Sequence, residues 1–148
     1  MKIPSVLRGT SDVDALRTAI VLAMERLCFA SAQAFPDDLP AGPTLEASVA
    51  FRGPISGSVG VAIPVPAARG FVDALLLPDA RADRIEPGDF VSELANIVCG
   101  NVVPRILGRT SIHVLSPPRL APSSAPVIAT AVVDFGAGWV AATLHGDP

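Results

Sequence analysis

The chain has 148 residues, 50% of them hydrophobic, which is enough for one domain with a substantial core and too little for two ordinary ones. Eleven basic against 14 acidic residues give a net charge of -3 with no block of like charge, and Tyr is absent; a nucleic-acid surface, a base-stacking platform and an anionic-membrane footprint are all poorly supplied. Mean hydropathy is +0.50, yet no uninterrupted apolar run approaches the roughly 18 to 20 residues that span a bilayer, so the surplus apolar surface is expected at a subunit or partner interface.

The start, "MKIPSVLRGTSDVDALR", has one early Lys but no apolar run followed by a small-residue cleavage site, so it does not read as a signal peptide. The cytoplasm is the expected compartment. The first periodic segment is "SDVDALRTAIVLAMERL". Ser11 followed by Asp14 is a variant capping box, and Leu16, Ile20, Ala23, Met24 and Leu27 fall on one face. A core-facing helix follows, ending before Pro36. "AFPDDLPAGPT" then reads as an ordered loop or short linker.

From Leu45 the texture changes. "LEASVAF" and "ISGSVGVAI" alternate on either side of "RGP", which predicts a hairpin turning at Gly53 and Pro54. "PVPAARGFVDALLLP" predicts a short helix with Pro66 in its first turn and Pro78 closing it. A second long helix is expected from near Pro87 to about Gly108. "TSIHVL", "PVIATAVVDF" and "GWVAATLH" read as three more strands, the last two joined by a tight turn at Gly136 to Gly138. The expected fold is α+β, with a mostly antiparallel sheet and two long helices packed on one face.

Two cysteines, Cys28 and Cys99, with no CxxC and only two histidines, give a thin ligand supply for zinc; both thiols are expected to be reduced. The sequence carries no HExxH, no G-x-S-x-G and no P-loop. "GSVG" at Gly57 to Gly60 sits in a predicted strand, where glycine marks a bulge or close packing. Ser111 and His113 alternate on one strand but have no placed acid, so a catalytic Ser-His pair is not supported.

The second long helix holds the unusual pattern. In "GDFVSELANIVCGNVV", at about 100° per residue, Phe90, Leu94, Ile97 and Val98 share one arc, while Asp89, Glu93, Asn96 and Gly100 share another about 60° wide. One face is for packing and the other for solvent or a partner. Asp89 stands in the first turn, where the helix dipole favours any acid. Asn96 is a weak helix former, and Gly100 costs about 1 kcal/mol against Ala, so a partner approaching the backbone would account for both. Asn101 falls in the apolar arc and is expected to be a buried amide satisfying a neighbouring backbone group. Pro104 is expected to kink the helix.

These residues carry a resemblance. "DFVSELANIVCGN", with its D-x3-E-x2-N pattern and trailing Gly100-Asn101, resembles the signature helix of the CheC/CheX family of chemotaxis phosphatases. Pro117 and Pro118 in "LSPPRL" match a signature proline somewhat over twenty residues after the Asn. The likeness covers roughly residues 43 to 145 and is closest to the single-motif CheX type. In the first helix Glu25 is followed by Cys28 at the Asn position, so one site per chain is implied. The resemblance implies a phosphorylated CheY-type response regulator as partner and hydrolysis of its aspartyl phosphate. Glu93 would pair a lysine of the regulator and Asn96 would position the attacking water, with Asp89 and Gly100 as partner-binding positions. It further implies a homodimer, no cofactor of the chain's own, and Mg2+ supplied by the regulator's acidic pocket. The alternative is a non-catalytic regulator-binding or flagellar-switch-like module.

Overall fold

The computed structural model describes residues 10–76, 85–108 and 112–146. Helix α1 spans Thr10–Cys28, strands β1 and β2 Thr44–Arg52 and Gly57–Pro64, helix α2 Val65–Leu76, helix α3 Pro87–Leu107, and strands β3 to β5 Val114–Leu115, Val127–Asp134 and Trp139–Gly146. The strands form one sheet in the order β3-β1-β2-β5-β4, and every named pair is antiparallel. The α+β arrangement expected from the sequence is the one found.

Alternation decides which face of the sheet is inside. Ala47, Val49 and Phe51 of β1 and Val59, Val61 and Ile63 of β2 point one way and are buried. The helices cover this face. Leu16, Ala19, Ile20, Ala23 and Met24 of α1 meet the buried side of α3, and both helices lie on the sheet. Four of the five residues read as α1's inner face are fully buried, and Leu27 is packed at the edge. The side chain of Ser11 lies outside the described residues, as do Pro78 and Ser111. The hairpin turns where expected, with Phe51 opposite Gly57. A Cβ on Gly57 would meet the His145 carbonyl and the Phe51 ring, so this glycine is a close-packing residue.

One strand departs from expectation. Instead of six residues, "TSIHVL" contributes Val114–Leu115, and Pro117 and Pro118 interrupt the ladder before Arg119 pairs with Ser48. Proline has no N–H to give, so this edge segment pairs in pieces. It continues as a strap across the outer face of the sheet: Ser48 Oγ donates to the Ala121 carbonyl at 3.0 Å, Ser58 and Ser123 hydroxyls meet at 3.0 Å, and His145 Nδ1 lies 2.9 Å from the Ala125 carbonyl. The loop after α1 joins the far edge, where Ala34 bridges Asp134.

The surplus hydropathy is explained in part by α3. By length and composition this helix would pass for a membrane span, yet it is packed between α1, α2 and strands β1 and β2. Its buried set, Phe90, Val91, Leu94, Ala95, Val98, Cys99, Val102, Val103 and Ile106, is wider than the arc read from the sequence. A helix with neighbours on three sides buries more than one stripe.

Candidate functional site on α3

What remains uncovered on α3 is a narrow ridge. Asp89, Glu93 and Gly100 are exposed and Asn96 is half-buried, whereas Leu94 and Ala95 are fully buried. All four residues singled out from the sequence therefore lie along one open line of the helix, as 3.6-residue periodicity requires. The rest of α3 anchors that line. Burying a leucine such as Leu94 contributes about 1.5–3 kcal/mol, so the ridge stands on a rigid element and its side chains need not contribute to stability.

The helix starts cleanly. Glu86 is the N-cap and Pro87 occupies the first turn, where its missing N–H costs nothing. Asp89 Oδ2 accepts a hydrogen bond from the Glu86 N–H at 3.3 Å. This is helix capping, the ordinary role for an acid at that position. Arg69 of α2 reaches Glu86 at 3.9 Å, an exposed pair that orients α2 against the start of α3 more than it stabilises.

Glu93 and Asn96 behave differently from Asp89. Neither side chain makes a hydrogen bond or ion pair with another described residue. Asn101 does: its Nδ2 donates to the Ile97 carbonyl at 3.0 Å. It satisfies a backbone acceptor as expected, but it is half-buried where a buried amide was expected. Two asparagines five residues apart thus have opposite uses, one tied to its own helix and one presented outward.

Among the described residues nothing requires Gly100 to lack a side chain. A Cβ there would meet nothing within 4 Å, and no positive φ is recorded at this position. Pro104 supplies no N–H to the Gly100 carbonyl, yet α3 continues through it as a single α-helix to Leu107, with the Gly108 N–H bonding to the Pro104 carbonyl at 3.1 Å. The helix thus runs to within a residue of Gly108, the end expected from the sequence, with Pro104 inside it.

Beyond Gly100 the ridge opens into a hollow of about 440 Å³ lined by Asn101, Pro104, Arg105, Gly108, His113 and Leu115, with Gly100 on its rim. Sequence reasoning missed this feature. His113 immediately precedes β3 and Leu115 ends it, and nothing in their spacing signals that this segment would run beside the end of α3. The His113 ring packs edge-on to Phe51, with centroids 6.1 Å apart, and lies so close to Gly53 that a Cβ there would clash with it. Both its ring nitrogens are shielded from solvent and have no partner among the described residues.

The thiols are structural. Cys99 is fully buried on the inner side of α3, and burial pushes its pKa up to about 12; Cys28 is half-buried, and burial raises its pKa as well. Neither is an activated nucleophile. Among the described residues no three His, Cys, Asp or Glu side chains gather in a way that could hold a metal ion.

Comparison with known proteins agrees with this geometry. The family model described as "Chemotaxis phosphatase CheX" matches residues 45–131. A CheX from Desulfovibrio desulfuricans is 16% identical and superposes with a TM-score of 0.69, covering 92% of this chain and 99% of that one. A putative chemotaxis protein from Desulfovibrio vulgaris Hildenborough gives 0.73 at 15% identity, over 95% and 99% of the two chains. The CheX of a CheX–CheY–BeF3–Mg complex from Borrelia burgdorferi gives 0.67 at 11% identity, over 97% and 98%. A search of curated proteins finds no match. The matched segment contains β1, β2, α2, the whole of α3 and the Pro117-Pro118 strap, and the chain belongs to the CheX family of chemotaxis phosphatases.

Proposed function

We propose that this protein dephosphorylates a CheY-type response regulator by placing Glu93 and Asn96 into the regulator's phosphorylated site. The observation that carries the reading is the pair itself: an exposed carboxylate and an amide three residues apart on a rigid helix, neither engaged by a described neighbour. The CheY partner of the Borrelia burgdorferi CheX supports the class of partner.

The chemistry needs no strong base. An aspartyl phosphate is an activated acyl phosphate, and phosphoryl transfer passes through a loose transition state, so positioning and electrostatics dominate. The Asn96 amide accepts a hydrogen bond from the attacking water through Oδ1 and donates to a phosphoryl oxygen through Nδ2, without bringing negative charge to the phosphate. A carboxylate at that position would repel it. Glu93, one turn earlier, pairs with a lysine of the regulator and sets the depth at which Asn96 enters. Asp89 keeps the helix start in place and can meet the partner only at the rim. The bare backbone at Gly100 lets the regulator approach closely. Mg2+ belongs to the regulator's acidic pocket, the expected compartment is the cytoplasm, and the expected assembly is a homodimer.

The test is loss of phosphate from a phosphorylated CheY-type receiver domain with and without this protein, using wild type and Asn96→Ala in parallel. Acceleration by wild type that vanishes in the variant supports the reading. Binding without acceleration would make the protein a non-catalytic regulator-binding module and overturn the catalytic assignment.

A further inference from the structure

The Asn96 amide has a neighbour outside the D-x3-E-x2-N pattern. Ser92 stands one turn before Asn96 on α3, about 40° round the helix axis, so their Cβ atoms lie roughly 5–6 Å apart. Glu93, although adjacent in sequence, points about 100° away from Ser92. Side chains on a helix lean back over the preceding turn, which carries the Asn96 amide toward Ser92. Both residues are half-buried, at the margin between the open ridge and the packed flank of the helix.

The Ser92 hydroxyl is uncommitted. A helical serine can donate to the carbonyl one turn earlier, as the Asn101 amide does toward Ile97, but the Ser92 side chain makes no hydrogen bond with another described residue. On its far side the neighbour is apolar: a Cβ at Gly88, one turn before Ser92, would stand 3.0 Å from a Leu120 methyl carbon. Serine and asparagine are both weaker helix formers than alanine, so α3 gives up helix propensity at two successive turns here. In the free chain water serves both groups. A regulator seated over Asn96 removes that water, and a hydroxyl left without a partner is costly. The Asn96 amide is within reach and has capacity to spare, because its carbonyl oxygen has two lone pairs, one for the attacking water and one for a further donor. The terminal torsion of asparagine is broad, so a second hydrogen bond is what would stop the amide plane from swinging.

We propose that Ser92 is a positioning residue for the reaction: in the docked complex its O–H donates to Asn96 Oδ1 and fixes the amide plane, with Nδ2 toward a phosphoryl oxygen and Oδ1 toward the attacking water. This rests on the function proposed above and adds a third side chain to it. Ser92 touches neither the phosphoryl group nor the water, so it acts on kcat through Asn96 and leaves docking affinity alone.

The experiment compares wild type with Ser92→Ala on a CheY-type receiver domain. In saturating single-turnover measurements on the phosphorylated domain, Ser92→Ala should lower the rate constant about three- to ten-fold, the range for losing one neutral hydrogen bond, while Kd for the beryllofluoride-loaded domain changes by less than about two-fold. In the loaded complex, NMR relaxation of the Asn96 side-chain amide nitrogen should report a rigid group in wild type and a mobile one in Ser92→Ala. The melting temperature should hold or rise, since alanine favours the helix. An unchanged rate constant would overturn the proposal, and so would a slower variant whose Asn96 amide stays rigid, because Ser92 would then act by another route. If wild type binds the loaded domain but does not accelerate phosphate loss, the catalytic reading fails and the relaxation data still decide whether Ser92 orders Asn96. If wild type binds no receiver domain, both fall.

Discussion

Glu93 and Asn96 stand three residues apart on α3 with Leu94 and Ala95 fully buried between them, and neither polar side chain bonds to another described residue. The helix is locked by one side and offered by the other. Such a division separates the residues that stabilise this protein from those proposed to meet the regulator.

Asn96→Ala should leave folding almost untouched, because the amide satisfies no group within the described chain. Acceleration of phosphate loss should fall on the order of 100-fold, the usual loss when one oriented hydrogen-bonding group is removed from a transition state. Single-turnover measurement of the phosphorylated regulator reads this directly. A ten-degree drop in melting temperature would instead show Asn96 to be structural.

Glu93→Gln should act on affinity. An exposed carboxylate that pairs with a partner lysine contributes mainly to association and depends on salt, so Kd should rise about three- to ten-fold at low ionic strength and less at 0.5 M salt. Isothermal titration at two salt concentrations checks it. Equal affinities of wild type and variant at low salt would remove the lysine pairing.

Gly100→Ala should make the isolated protein more stable and the complex weaker. The added methyl meets nothing within 4 Å among the described residues, and Ala is favoured over Gly in a helix by about 1 kcal/mol. The methyl would push against a regulator backbone brought close to the helix. Urea denaturation and a binding titration on the same variant should move in opposite directions; unchanged affinity would leave the glycine without a partner-facing role.

Cys99 should react with a thiol reagent only as the chain unfolds, while half-buried Cys28 reacts sooner. The pH dependence follows from the burial that pushes the Cys99 thiol up to about 12. An unfolded thiol ionises near 8.5, so between about 8.5 and 12 the unfolded chain has lost a proton that the folded chain keeps, and stability falls by up to about 1.4 kcal/mol per pH unit. The contribution is fully present below pH 8 and lost as pH rises. Tyr is absent and cannot add to that slope. Denaturation at pH 7.5 and 9.5 should show a smaller difference for Cys99→Ala than for wild type.

Much of this was written in one dimension. The 3.6-residue period in α1 and the two-residue alternation in β1 and β2 each bury one face, and local hydrophobic order is enough to say which. The same period places Asp89, Glu93, Asn96 and Gly100 on one line, because residues of a single helix keep their angular relations wherever the helix is packed. The rival roles for those side chains could not be separated so simply: whether a polar group bonds at home or remains available depends on neighbours. Packing showed Asp89 capping the Glu86 N–H, Asn101 tied to Ile97, and Asn96 tied to nothing described. Only the tertiary structure brought His113 and Leu115, on either side of Val114, beside Arg105 to form a hollow, and only it broke the edge strand at Pro117 and Pro118 to strap the outer face. Such features arise from contacts between segments, for which no periodicity in a single segment carries a signal.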